Sequence, residues 1–255
     1  MKGSVGVPLF FASGRRAIAG PVEGQRIIAT SGDRFVVDGK ECLLDDVVAP
    51  HPKRLSQPQE PYFIKARDML QAFIDRDEIL FHPTRRDRWG REYGRLSSLT
   101  DRTSAEQELI IQGAARVHPQ SEDFGFIETL YEQEQVARRR ERGLWALDSF
   151  RSLDATRVSN WSRERASPLT DRFQIFSGPL TSVAKRGGRT FFNFGRDYKS
   201  DVTATYVGRK KDLPILAFEG DLIGRQVEVR GYVSWINGPS LTIKHPLQIR
   251  APWMA

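Results

Sequence analysis

β-branched and apolar residues gather along Gln25–Thr30 and Arg34–Val37, the composition of β-strands. Asp38-Gly39 follows as a hairpin turn signal, and Lys40–Val48 reads as the returning strand. Pro50 and the Pro/Gln-rich run to Pro61 break the pattern into a loop. From Glu60 to Asp75 the apolar positions Phe63, Ile64, Ala66, Met69, Leu70, Phe73 and Ile74 recur at helical spacing. Glu78–His82 and Gly94–Leu99 return to strand. Ser104 with Gln107 makes a capping-box start for a helix ending at Gly113. A longer helix is predicted from about Phe126 to Arg142, with Gly143 as its left-handed cap. Arg138, Arg139, Arg140 and Arg142 fall in its last turns, where helix-dipole complementarity and solvation account for them.

Residues 148–171 lose this periodicity and read as a linker lying over the first domain, anchored by Trp161. Strands resume at Phe173–Val183 and Thr190–Phe194, joined by a turn through Gly187-Gly188, and continue at Val202–Val207. Leu213–Gly220 reads as a helical turn, and Gln226–Ile236 with Ser240–Ile243 as a last hairpin around Asn237-Gly238. The expected organisation is a segment at 1–21, a domain at 22–147, the linker, and a second domain at 172–255. The first domain reads as α+β, mainly β, with a sheet that closes into a barrel. The second has the strand count and helix placement of a smaller OB-fold-like barrel.

The 255 residues carry a formal charge of +7, which favours a polyanionic partner. Cys42 is the only cysteine, which excludes an intrachain disulfide or a cysteine zinc cluster, and the four histidines lack metal-motif spacing. No apolar run approaches the roughly 20 residues of a membrane-spanning helix. Val5–Ala12 followed by Ala17-Ile18-Ala19 has the outline of a signal peptide with an Ala-x-Ala cleavage site. Pro8, Arg15 and Arg16 argue against it, so the expectation is a cytoplasmic protein; a functional signal peptide would make it periplasmic or secreted.

Asp87-Arg88-Trp89-Gly90-Arg91 packs arginine, an aromatic ring and a turn-forming glycine between two strands, and Arg91-Glu92-Tyr93-Gly94-Arg95 echoes it. With Ser31-Gly32-Asp33-Arg34, Val47-Val48-Ala49-Pro50, Glu108–Val117 and Arg142–Ala146, in that order and spacing, residues 22–147 resemble the thermonuclease (staphylococcal-nuclease-like) family. The resemblance implies a nuclease-type OB barrel with helices and a calcium-dependent phosphodiesterase ancestry. In such an enzyme carboxylates hold the ion, a glutamate helps activate water, and two arginines stabilise charge on the phosphate.

Matched residue by residue, the first metal aspartate is Asp33, and the usual following threonine is Arg34. The first catalytic arginine is Leu43, the second metal carboxylate is Val48 and the glutamate is His51. The remaining arginine is Arg91, or Arg95 if the turn is aligned four residues later. Valine cannot ligate calcium and leucine cannot donate to a phosphoryl oxygen, so the resemblance implies a degenerate nuclease with Asp33 a vestigial metal residue. A rebuilt site would use His51 as a general base with Arg91, and calcium if it were active, or would recruit Asp45 and Asp46 by a register shift. The default for such a histidine and aspartate pair is plain solvation.

Asn193-Phe194-Gly195-Arg196-Asp197 is similar to a stretch in C-terminal modules found beside thermonuclease-like domains. OB-type barrels bind single strands by pairing cations with stacking rings. The candidates for nucleic-acid contact are Arg88 and Arg95 in the first domain. In the second they are Lys185, Arg186, Arg189, Phe192, Phe194, Arg196, Tyr198, Lys210, Lys211 and Trp235, with alternate aromatics expected in the core. The leading expectation is a nuclease-derived protein that binds single-stranded DNA or RNA. The others are an active nuclease with a rebuilt site, and an assembly subunit that holds a protein partner.

Overall fold

A computed structural model describes residues 27–53, 57–76, 78–158, 161–162, 164, 167–197, 199–208, 213, 215 and 219–251. The segment 1–21 lies outside the described residues. The first unit opens with β1 (Ile27–Ser31), β2 (Arg34–Val37), β3 (Lys40–Leu44) and the short β4 (Val47–Val48). Next come α1 (Phe63–Arg76), β5 (Ile79–Arg86), β6 (Glu92–Ser98), α2 (Ala105–Ile111), β7 (Arg116–Val117) and α3 (Phe124–Arg139).

Five of these strands form one curled sheet in the order β1-β2-β3-β6-β5, with β3 and β6 parallel. The predicted devices are in place. Asp38 and Gly39 both take positive φ in the β2–β3 turn, and the Ser104 hydroxyl accepts from Gln107 N at the start of α2. The core runs from Phe35 and Leu44 through Leu70, Phe73 and Leu96 to Leu109 and Leu130.

The second unit contains β8 (Leu153–Asp154), α4 (Ala155–Val158), β9 (Phe173–Pro179), β10 (Ser182–Arg186), β11 (Arg189–Asn193) and β12 (Thr203–Val207). It ends with α5 (Glu219–Leu222), β13 (Gln226–Trp235), β14 (Pro239–Ile243) and β15 (Ile249–Arg250). The sheet order is β10-β11-β12-β14-β13-β9-β8. The predicted strand Phe173–Val183 is broken at Leu180-Thr181, so β9 pairs with β13 while β10 pairs with β11. One bent strand thus occupies both ends of a five-strand path and closes it into an OB-type barrel. β12 and β14 are parallel, as β3 and β6 are in the first unit, so both units follow the same path.

Three expectations are corrected. The described residues between 148 and 171 touch both units and not the first alone: Arg151 meets Glu141 and the Trp145 carbonyl of the first. Leu153 and Asp154 pair with β9, Ala155 and Val158 are buried, and Trp161 packs into the second core. Apolar residues too few to show a period still bury when a neighbouring sheet supplies the surface.

Gly143 is not the cap of α3, which ends at Arg140. Its positive φ serves a close backbone approach instead, since a Cβ there would stand 2.2 Å from the Gly113 carbonyl oxygen. Arg138 is not merely solvated, because it pairs with Glu134 and Glu228 across the junction between the units. Of the predicted turn at 213–220, Ile215 and Glu219-Gly220 are helical among the described residues.

The two units are joined by a polar network whose centre, Arg230 and Glu134, is buried. Arg230 of β13 donates to both carboxylate oxygens of Glu134 on α3, at 3.1 and 3.0 Å, to the Val117 carbonyl at 2.9 Å, and to Glu228. Tyr131 donates to the Leu247 carbonyl at 2.6 Å, and Arg172 pairs with Glu60 at 3.1 Å. Arg116 is enclosed between the rings of Phe150 and Phe173, both at 5.0 Å, and burial lowers its pKa to about 10. This network fixes how the second barrel faces the first.

Candidate functional site

Between the barrels lies a cleft of about 700 Å³. The first unit contributes Asp33, Arg34, Arg85, Trp89 and Arg91, and the second contributes Tyr232 and Lys244. The sequence analysis singled out Asp33 and Arg91, and the structure brings both here. Arg34, Arg85 and Lys244 were missed as site residues, because only the sheet register and the docking of the second barrel turn them towards one space.

Asp87 builds the turn that aims Arg91. Its carboxylate accepts from Trp89 N at 2.9 Å, Arg91 N at 3.0 Å and Arg91 Nε at 2.8 Å. Gly90 has φ 84°, a conformation open to glycine at little cost. The turn leaves the Trp89 ring 67% exposed, with the Arg88 and Arg91 guanidinium carbons 4.1 and 5.3 Å from its centroid. Arg85 stacks on Tyr93 at 3.5 Å and is anchored by Asp45 at 3.2 Å and Gln120 at 2.6 Å. Arg95, the alternative to Arg91, points elsewhere: it pairs with Asp123 at 3.0 Å and covers Phe126 at 3.7 Å.

His51 is not solvated and does not line the cleft. It is 5% exposed, with Nε2 3.1 Å from the Tyr232 hydroxyl and its ring stacked on Tyr232. Val48 is 1% exposed in an apolar cluster with Ala137, Trp145, Phe173 and Ile175. The second barrel therefore covers His51, where the family pattern has a glutamate, and packs against Val48, where it has a metal carboxylate, although Val48 still borders the cleft. Leu43, where it has an arginine, is 7% exposed on the cleft wall.

The nearby carboxylates are bound into the fold. Asp33 accepts from the Ser31 hydroxyl at 2.5 Å and from Ala49 N at 3.2 Å. Asp45 and Asp46, both fully buried, are not solvated either. Asp45 accepts from Thr84 and Arg85, and Asp46 takes the amides of Gln120 and Ser121 at 2.8 Å. Calcium wants roughly 6–8 oxygens. Among the described residues no group of three or more His, Cys, Asp or Glu side chains is arranged to hold a metal. His118, which also lines the cleft, is kept neutral, its pKa lowered to about 3 chiefly by burial and further by Arg85 and Arg230.

The candidates in the second barrel divide. Phe192 and Phe194 are core residues, 0% and 2% exposed, so they are not stacking platforms. Lys185, Arg186, Arg189 and Arg196 are exposed, and Trp235 is half-buried, but they belong to other parts of the barrel and do not line the cleft. Tyr198, Lys210 and Lys211 lie outside the described residues.

A barrel of this strand order with α1 between its third and fourth strands, and an arginine-bearing turn over one face, defines a nuclease-type OB domain. Residues 41–147 match the family model of staphylococcal nuclease homologues, and this part of the chain is a staphylococcal-nuclease-like domain. The match begins inside β3, although β1 and β2, which carry Asp33 and Arg34, belong to the same sheet. Such a domain points to nuclease-related nucleic-acid binding. No curated protein matches the chain. Among the described residues, no helix is long and apolar enough to cross a membrane.

Proposed function

We propose that this protein is a nuclease-derived binding protein that holds a single strand of DNA or RNA in the interdomain cleft. In this reading it does not carry out calcium-dependent phosphodiester hydrolysis. The observation that carries it is the contrast between two walls of one site. The wall that would hold a metal is Val48 and His51 beneath Phe173, Ile175 and Tyr232. The wall that would hold phosphate keeps Arg34, Arg85, Arg91 and Lys244 beside an exposed Trp89. Losing one preorganised donor costs an enzyme about a hundred- to a thousandfold in rate, and here a guanidinium, a carboxylate and a glutamate are replaced together. Binding needs less. Cations neutralise phosphates and release counterions, and an exposed indole stacks on any base.

Titration of labelled oligothymidylate and oligouridylate at 50 and 200 mM salt tests the reading. Binding that weakens steeply as salt rises, with both strands intact after incubation in calcium, is expected. No binding at low salt, or calcium-dependent cleavage, would overturn it.

A further inference from the structure

Leu43 stands where the family pattern has an arginine, yet its face of the sheet is not short of guanidinium. Arg34 is the direct partner of Leu43 in the β2–β3 ladder, so both side chains project from the same side. Arg91 reaches the same space from the turn, and all three line the cleft. One carboxylate lies between the two arginines. Glu41, two residues before Leu43 and hence on its face, has Oε1 3.7 Å from Nη1 of Arg34 and Oε2 3.8 Å from Nη1 of Arg91. At those separations the pairs are held by charge without hydrogen bonds. The Arg34 Nε is buried without a hydrogen bond, 3.8 Å from Asp33 Oδ1, and Nη1 is the nitrogen that Arg34 turns to Glu41.

A carboxylate that offers one oxygen to each guanidinium presents the charge and bite of two phosphate oxygens. We propose that Arg34 and Arg91 form a two-guanidinium clamp for a phosphate group, with Arg34 supplying across the strand pair what position 43 lacks. Glu41 is the clamp's internal competitor, filling it in the free protein and giving way when phosphate enters. This inference rests on the nucleic-acid reading of the cleft and narrows it to the backbone phosphate as the group recognised. Arg91 is anchored by Asp87 through Nε, with Nη1 turned to Glu41, whereas Arg85 has Nε on Asp45 and Nη2 on Gln120 and is not part of the clamp.

The test uses the full chain with two probes, labelled oligothymidylate by fluorescence anisotropy and inorganic phosphate by calorimetry. Glu41→Gln keeps the shape of the side chain and removes its charge. It is expected to tighten both ligands by about two- to fivefold, up to the upper end of the range of an exposed ion pair. Arg34→Gln and Arg91→Gln are expected to weaken them about tenfold, and Glu41→Gln should have no effect once both arginines are replaced. Oligothymidylate binding to the parent that all three single variants leave within twofold would overturn the clamp and spare the cleft reading. Phosphate binding that follows the variants without any oligothymidylate binding would establish the clamp and sink the nucleic-acid reading. If neither probe binds the parent or Glu41→Gln, both ideas fall.

Discussion

The Tyr232 hydroxyl of the second barrel stands 3.1 Å from Nε2 of His51 in the first, and the two rings stack with centroids 5.9 Å apart. A residue that would activate water needs access to water and to a reacting phosphorus atom. Here the imidazole faces a phenol across a domain junction. The neighbouring Val48 contacts the same partner barrel through Phe173 and Ile175. Replacement of a carboxylate by a methyl-bearing side chain makes sense as packing, since a charge at this place would be taken out of water.

Restoring the family's carboxylate should therefore harm the fold and leave catalysis absent. Val48→Asp is expected to destabilise the protein by about 3–5 kcal/mol, the range for an uncompensated buried charge. Urea denaturation measures the loss, and a calcium-supplemented cleavage assay should stay blank. A stable variant that cleaves DNA would show that the second barrel leaves the old metal position open.

Arg230 and Glu134 are 2% and 1% exposed and meet through two parallel hydrogen bonds. Removing Arg230 leaves Glu134 and Glu228 with Arg138 as their remaining cation. Arg230→Met is expected to cost about 3–5 kcal/mol by chemical denaturation. Limited proteolysis should then cut between the barrels, because the network that orients them has lost its centre.

Burial acts to raise the Glu228 pKa, but Arg230 and Arg138 outweigh it and hold the group at about 2, against 4.5 in an unperturbed chain. The depressed value means that the stabilisation is complete above pH 4.5 and drains away as pH falls towards 2. Parent protein should lose stability steeply over that window, and Glu228→Gln, which begins without the charge, should show a flatter acid limb.

Glu106 behaves in the opposite sense. Burial pushes its pKa up to about 8, with hydrogen bonding to its own backbone amide, attraction from Arg95 and the Ser104 hydroxyl only partly opposing. A raised value means that the folded state binds the proton more tightly than the unfolded chain, so stability is lost as pH rises from about 4.5 to 8. Glu106→Gln is expected to match the parent near pH 4.5 and to exceed it increasingly up to pH 8. Thermal midpoints taken across that range decide the matter.

Trp89 touches the cleft yet is mostly exposed, so Trp89→Ala should leave the thermal midpoint within about a degree. It should weaken single-strand binding by about 1–3 kcal/mol, the worth of a stacked base. Indole fluorescence of the parent should also be quenched by oligothymidylate, and the variant should lose that part of the signal.

Much of this molecule was legible in local pattern. β-branched and apolar runs marked the strands, Asp38-Gly39 and Asn237-Gly238 marked turns that do take positive φ, and Ser104 with Gln107 marked a cap that forms. These features act over a few residues, where backbone sterics and single hydrogen bonds decide the outcome. The replaced residues at 43, 48 and 51 were also visible, because residue type alone bars valine and leucine from the family's chemistry.

What only the tertiary structure decided was where those residues went. Nothing near His51 in the chain announces Tyr232, 181 positions away, or distinguishes Arg91 in the cleft from Arg95 on Asp123. Phe192 and Phe194 alternate like platform residues but face the core, because the barrel closes over that side. Arg34, Glu41 and Arg91 meet through strand register and a turn. Register and docking are properties of surfaces brought together by burial, and a linear pattern carries no record of which surfaces those will be.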